Sequence, residues 1–172
     1  MYKKIYTLIF IFVLITTNTF SSEDKFVFID INFIFNNSVA GKKMNKKFQE
    51  KTLKINGDLK DFQKKIENER KTLLTQKNVI SEEEFKKKVS YLDKQIKEFN
   101  ISINKKNNDL QKLKNETRLK FSSELKKILT DFSKENSISM IINKENILIG
   151  KTSLDVTKNI LDRFDKGVKK LN

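Results

Sequence analysis

From Phe48 onward the apolar residues recur at alternating steps of four and three: Phe48, Ile55, Leu59, Phe62, Ile66 and Leu73, with Thr52 and Glu69 as the polar members of the row. That alternation is the signature of a helix burying a narrow seam against another helix. A second row starts at Phe85 and runs through Val89, Leu92, Ile96, Phe99, Ile103, Lys106, Leu110 and Leu113 to Thr117 in the same rhythm. Asn78, Val79 and Ile80 interrupt the two rows. Ser81 with Glu84 three residues on then has the chemistry of a capping box, and Glu82, Glu83 and Glu84 suit the positive end of a helix dipole.

Folding the chain about residue 79 brings the rows together. Leu73 comes opposite Phe85, Ile66 opposite Leu92, Phe62 opposite Ile96, Leu59 opposite Phe99, Ile55 opposite Ile103 and Phe48 opposite Leu110. Each pair sets an a position against a d position, as antiparallel helices require, and polar Thr52 falls opposite polar Lys106. Glu69 falls opposite Val89, a mismatch from which a long carboxylate can swing to water. A parallel dimer or trimer of long helices would not accommodate the break. The pattern predicts an antiparallel coiled-coil hairpin over residues 38–135 with its tip at 78–81, an arm on the order of 60 Å long.

The remainder is a small body, residues 22–37 and 136–172. Phe26 to Phe35 is apolar except at Asp30 and Asn32, which predicts a buried strand running into a short turn, and Asn36, Asn37 and Ser38 offer helix caps. Ile138–Ile142 and Ile147–Ile149 read as two further short strands around a turn at 143–146. Thr152 or Ser153 can then cap a helix with a stripe of Val156, Ile160, Phe164, Val168 and Leu171. After Thr117 two successive four-residue steps, to Phe121 and Leu125, make a stutter. These residues and Ile128 and Phe132 have no partner within the hairpin, so they are expected to pack on the body. The fold class is α+β, mostly α. Such a body has exposed strand edges and little core of its own, which oligomerisation would cover.

The N-terminus adds a compartment. Lys3 and Lys4 precede an apolar run from Ile5 to Ile15, and Thr19 and Ser21 place small residues ahead of a cleavage point after Ser21. Residues 1–21 read as a secretory signal peptide. The apolar run gives roughly 16 Å of helix, against roughly 30 Å for a bilayer core, so an anchor is disfavoured.

Composition narrows the chemistry. The chain of 172 residues has room for one domain, with 34% charged residues, 4 Gly and no Pro, which favours long uninterrupted helices. It holds neither Cys nor His. Thiol nucleophiles, disulfides, Cys/His zinc sites and His-based triads are thereby excluded, and no cofactor is expected. Asp30 is a lone carboxylate in an apolar segment without an acid or base partner, so a structural hydrogen-bonding role is expected and an enzyme is not. The net charge is +14, of which residues 38–135, with 26 basic and 15 acidic residues, hold +11. A basic surface attracts acidic proteins, anionic lipid headgroups or polyanions alike. Nucleic acid is disfavoured because only three arginines are present, far apart, and most arm phenylalanines belong to the seam.

The seam leaves some apolar arm residues unused: Leu53, Leu74, Val79, Ile80, Tyr91, Ile101, Leu119 and Leu129. Scattered along a basic surface, they suit many weak contacts with an apolar client rather than one pocket. Singly, each could equally be ordinary helix-surface scatter.

Together these segments resemble the Skp/OmpH family of periplasmic chaperones over essentially the whole chain after the signal peptide. The residues that carry the resemblance are Phe28-Ile29-Asp30-Ile31-Asn32 through Asn37-Ser38-Val39-Ala40-Gly41-Lys42-Lys43, then Ser81-Glu82-Glu83-Glu84-Phe85. They continue in Ile141-Ile142-Asn143 to Ile147-Leu148-Ile149 and in Ser153-Leu154-Asp155-Val156-Thr157. The chain departs from the family in having no proline around residues 150–153. The resemblance implies a homotrimer whose strands build a shared body and whose arms surround a cavity. It also implies a periplasmic holdase that grips unfolded outer-membrane proteins without ATP. Lipopolysaccharide or an anionic membrane surface is a further partner in some members, with no residue-by-residue match here. Two other readings stand beside it: a secreted basic polyanion-binding protein and a passive coiled-coil spacer.

Overall fold

A computed structural model describes residues 24–171. The segment read as a signal peptide lies outside the described residues. Strand β1, Phe26–Ile29, opens the described chain and buries Val27, Phe28 and Ile29. It stops four residues in, well short of Phe35. The Asp30 carboxylate accepts a hydrogen bond from the Phe33 N–H at 2.7 Å and caps a short helix α1, Ile31–Asn37. A helix, unlike a strand, turns Ile31, Ile34 and Phe35 together onto the core, and Ile34 is wholly buried. Local capping and burial thus override the β preference of this apolar run.

One extended residue, Ser38, separates α1 from α2, Val39–Gln76. Its buried hydroxyl donates to the Phe35 carbonyl and accepts from the Gly41 N–H at 3.1 Å. A β-carbon at position 41 would stand 1.7 Å from the Phe35 carbonyl oxygen, so the elbow closes because Gly41 has none. A turn at 77–81 leads into α3, Glu82–Glu135, of 54 residues. The Ser81 hydroxyl accepts from the Glu84 N–H at 3.2 Å as its capping role requires. The Glu84 carboxylate, expected to reach back to the cap, lies beside Lys88 instead.

Helices α2 and α3 lie along each other. Lys88 donates to Gln76, Lys65 to Gln95 and Lys106 to Asp58, so partners climb one helix as they descend the other. Ile55, Ile103 and Leu110 form a buried cluster with Phe48 and Phe99 packed on it, and Ile66 and Leu92 are buried farther out. Leu59, Phe62, Leu73, Phe85, Val89 and Ile96 are half-buried, as a two-helix seam must leave them. The polar positions do not pair with each other. The Thr52 hydroxyl donates to the Phe48 carbonyl of its own helix, and Lys106 reaches past it to Asp58. Short polar side chains on a helix satisfy themselves locally.

Beyond Thr117, α3 enters the main core. Phe121, Leu125 and Phe132 pack with Val27, Ile29, Ile34, Ala40, Met44, Ile160 and Phe164. Ser137 then turns the chain through a left-handed conformation, φ 51°. Strand β2, Met140–Asn143, follows and runs parallel to β1, with Phe26 beside Met140 and Ile29 beside Asn143. The strand expected at Ile147–Ile149 does not form. A single 3₁₀ turn, Lys144–Asn146, precedes it, and Leu148 and Ile149 stand 97% and 90% exposed. The other edge of β1 is taken by Asp155, bridged to Phe28, with the Val156 N–H donating to the Phe28 carbonyl at 3.0 Å. No edge of β1 is therefore left for residues 147–149 to pair with. Helix α4, Thr157–Gly167, begins a few residues later than Thr152 or Ser153 would set it. Asp155 fixes that start by accepting from the Thr157 N–H at 2.9 Å. Ile160, Phe164, Val168 and Leu171 then complete the core.

Candidate binding surface

The arm surface is built from residues the seam cannot use. On α2 Leu53 and Leu74 stand 63% and 68% exposed, and Val79 at the tip 81%. On α3 Tyr91, Ile101 and Leu119 are 60–67% exposed. These six are spread over a rod about 80 Å long on the α3 side. The other two predicted contact residues are placed differently. Ile80 is half-buried in the turn. Leu129 packs against the body core, because the stutter rotates both Ile128 and Leu129 inward.

Charge on the same rod is held in ion pairs of short sequence range. Glu82–Lys86, Glu83–Lys87 and Glu84–Lys88 follow one another at the start of α3, and Glu67–Lys71 lies along α2. Lys106 joins the helices through Asp58 at 2.6 Å and holds the Asp58 carboxyl below its ordinary range. The Lys71 ammonium does the same to Glu67. All are solvent-exposed, so each contributes little stability and yields to salt. Lysines outside these pairs leave the arm a net basic surface.

The seam itself opens on both faces near the tip. One groove, about 470 Å³, is lined by Glu69, Thr72, Leu73, Lys88, Tyr91 and Leu92 among others. A second, about 380 Å³, lies over Leu59, Phe62, Ile66, Leu74, Ile96 and Phe99. Dividing the residues into seam and surplus hid these grooves, since half-buried seam residues also form their floors. The available signal was Glu69, a carboxylate where the row calls for an apolar side chain.

At the body the polar groups are used structurally. Asp30 caps α1, and its backbone N–H donates to the Thr157 hydroxyl at 2.9 Å. Burial favours the neutral acid at Asp155, but hydrogen bonds from Thr157 and Lys144 outweigh it and lower its pKa. Arg163 pairs with Glu135 at 2.6 Å and lies over the Phe132 ring. Among the described residues no three acidic side chains gather as a metal site, and no helix is long and apolar enough to cross a membrane. Phe26, Met140, Leu148 and Ile149 instead leave large apolar side chains exposed on the body.

Comparison with known proteins gives this geometry a context. The sequence model of one family, outer membrane protein (OmpH-like), matches residues 25–164. No curated protein sequence matches the chain. Among solved structures it is similar to the crystal structure of an OmpH-like protein from Caulobacter crescentus CB15, described as an outer membrane chaperone. The TM-score is 0.63 at 15% identity, covering 87% of this chain and 88% of that one. At that identity the likeness is one of fold.

Proposed function

Because the chain belongs to the OmpH-like family, we propose that it is an ATP-independent holdase of the periplasm, a chaperone rather than an enzyme, which keeps unfolded outer-membrane proteins from aggregating. The observation that carries this reading is the set of six large apolar side chains exposed at intervals along a basic two-helix arm. Leu53, Leu74, Val79, Tyr91, Ile101 and Leu119 together offer apolar contacts from the tip of the arm to its base. An unfolded client gains a ladder of weak apolar contacts, and many weak contacts hold firmly while each releases readily. Lysine excess on the arm draws acidic segments to that ladder at moderate ionic strength.

Three copies complete the device. The antiparallel hairpin of each chain is an arm, and the small bodies join into a hub from which the arms enclose the client. The exposed apolar group of Phe26, Met140, Leu148 and Ile149 supports a hub interface on the body. A two-stranded sheet with one open edge beside it can be extended by a neighbouring chain.

Dilution of a urea-unfolded outer-membrane β-barrel protein into buffer, with and without a threefold excess of the chain and no ATP, tests the reading by turbidity. Suppressed turbidity is expected, together with a mass of three chains by light scattering. Aggregation at the unassisted rate would remove the holdase. A monomer that still suppresses aggregation would remove the hub alone.

A further inference from the structure

A heptad row needs an apolar knob at every a and d position, and α2 breaks this rule once near the tip, at Glu69. The carboxylate is not left in the seam. Lys65 holds it from its own helix at 3.6 Å and Gln95 from the facing helix at 3.5 Å. Drawn toward Gln95, Glu69 leaves the layer between buried Ile66–Leu92 and half-buried Leu73 filled from one helix alone, by half-buried Val89. The groove of about 470 Å³ lies there. Its floor is Leu73 and Leu92, its walls are Thr72 and the stem of Lys88, and Tyr91 stands exposed at its lip.

We propose that this gap is a slot for a single aromatic side chain of an unfolded, net-acidic polypeptide segment. The proposal rests on the holdase reading and names what one part of the arm takes. Three observations select the occupant. The groove has room for an aromatic ring together with the extended backbone that carries it, and its floor is apolar, so a large flat side chain gains most by entering. An exposed tyrosine at the lip offers edge-to-face contact to a ring. The arm as a whole carries +11, which favours acidic flanking residues over basic ones. Glu69 is then a position where seam stability is given up for an opening. Its replacement by leucine restores the missing knob and closes the slot.

The test uses three labelled extended peptides followed by fluorescence anisotropy. One is acidic with a central Phe, one is the same peptide with Ser in place of Phe, and one is basic with the Phe. The native chain is expected to bind the acidic Phe peptide about tenfold more tightly than the Ser peptide, the ratio one buried ring supports. Glu69→Leu is expected to raise the melting temperature while losing that preference. Thr72→Phe, which fills the slot from its rim, gives the same loss without touching the seam. A tenfold preference that survives in both variants would overturn the slot. Equal binding of acidic and basic Phe peptides would overturn the acidic partner. In either case suppression of β-barrel aggregation by the variants, measured in parallel, shows whether the holdase reading stands independently.

Discussion

The rings of Phe62 and Phe99 lie flat on each other across the two long helices, centroids 3.7 Å apart and planes within 8°. The heptad rows paired Phe62 with Ile96 and Leu59 with Phe99, so the stack joins residues one layer apart in that scheme. Parallel sandwiches are not what ring quadrupoles favour by themselves. The seam on either side must therefore press these rings together.

Truncating either ring measures that pressure. Phe62→Ala or Phe99→Ala should each cost about 2 kcal/mol in urea unfolding, below the cost for a fully buried ring because both stay partly solvated. The double variant should cost less than the sum of the two, by about 1 kcal/mol. Strict additivity would mean the stack adds nothing beyond area.

Two glycines on α2 should respond in opposite senses. Gly41→Ala drives a methyl into the Phe35 carbonyl at the elbow, and a loss of about 3 kcal/mol or more is expected. Gly57→Ala meets no atom within 4 Å and should gain up to about 1 kcal/mol through helix propensity. Thermal melts by circular dichroism separate them, and a neutral Gly41→Ala would mean the elbow is not closed as described.

Acid should loosen the body through Asp155. Its pKa is lower in the folded chain than in the unfolded one, because hydrogen bonds from Thr157 and Lys144 overcome the effect of burial. Ionisation therefore stabilises the fold above about pH 4, and the gain is lost as pH falls through the lowered value. The melting temperature should drop between about pH 4 and pH 2, and Asp155→Asn should flatten that drop. The comparison belongs at high salt, where the exposed Asp58–Lys106 and Glu135–Arg163 pairs are screened. An identical acid slope in the variant would rule out this carboxylate.

Converting Tyr91, Ile101 and Leu119 together to Ser should leave helicity intact and weaken suppression of β-barrel protein aggregation several-fold. Leu129→Ser is the informative contrast. It should destabilise the chain by about 2 kcal/mol, since that side chain serves the core. Undiminished suppression by the triple variant would reject those three side chains as contacts.

The arm was legible in sequence because heptad periodicity is local and redundant. A dozen positions repeat the same message, so single exceptions such as Thr52 do not obscure it. The body was legible only in part, because its segments are short and apolar without period. Ile31–Asn37 has the composition of a strand, and only the Asp30 cap and the burial of Ile34 decide for helix. Ile147–Ile149 has strand composition too, but Asp155 takes the second edge of β1, and these residues stay outside the sheet. Leu129 looked like surplus surface because the stutter shifts which face is inward. The grooves escaped because one side chain can belong to the seam and to a cleft at once.

The parallel pairing of Phe26 with Met140 governs the order in which this chain can become itself. More than a hundred residues separate the two strands, and the whole rod lies between them. Loop closure over that distance is slow compared with helix growth and zipping of the rod from its tip. During synthesis β1 emerges first and waits, unpaired, until residue 140 arrives. The rod should mature early and the body late, so a chain stopped short of Met140 would be a finished lever without a fulcrum.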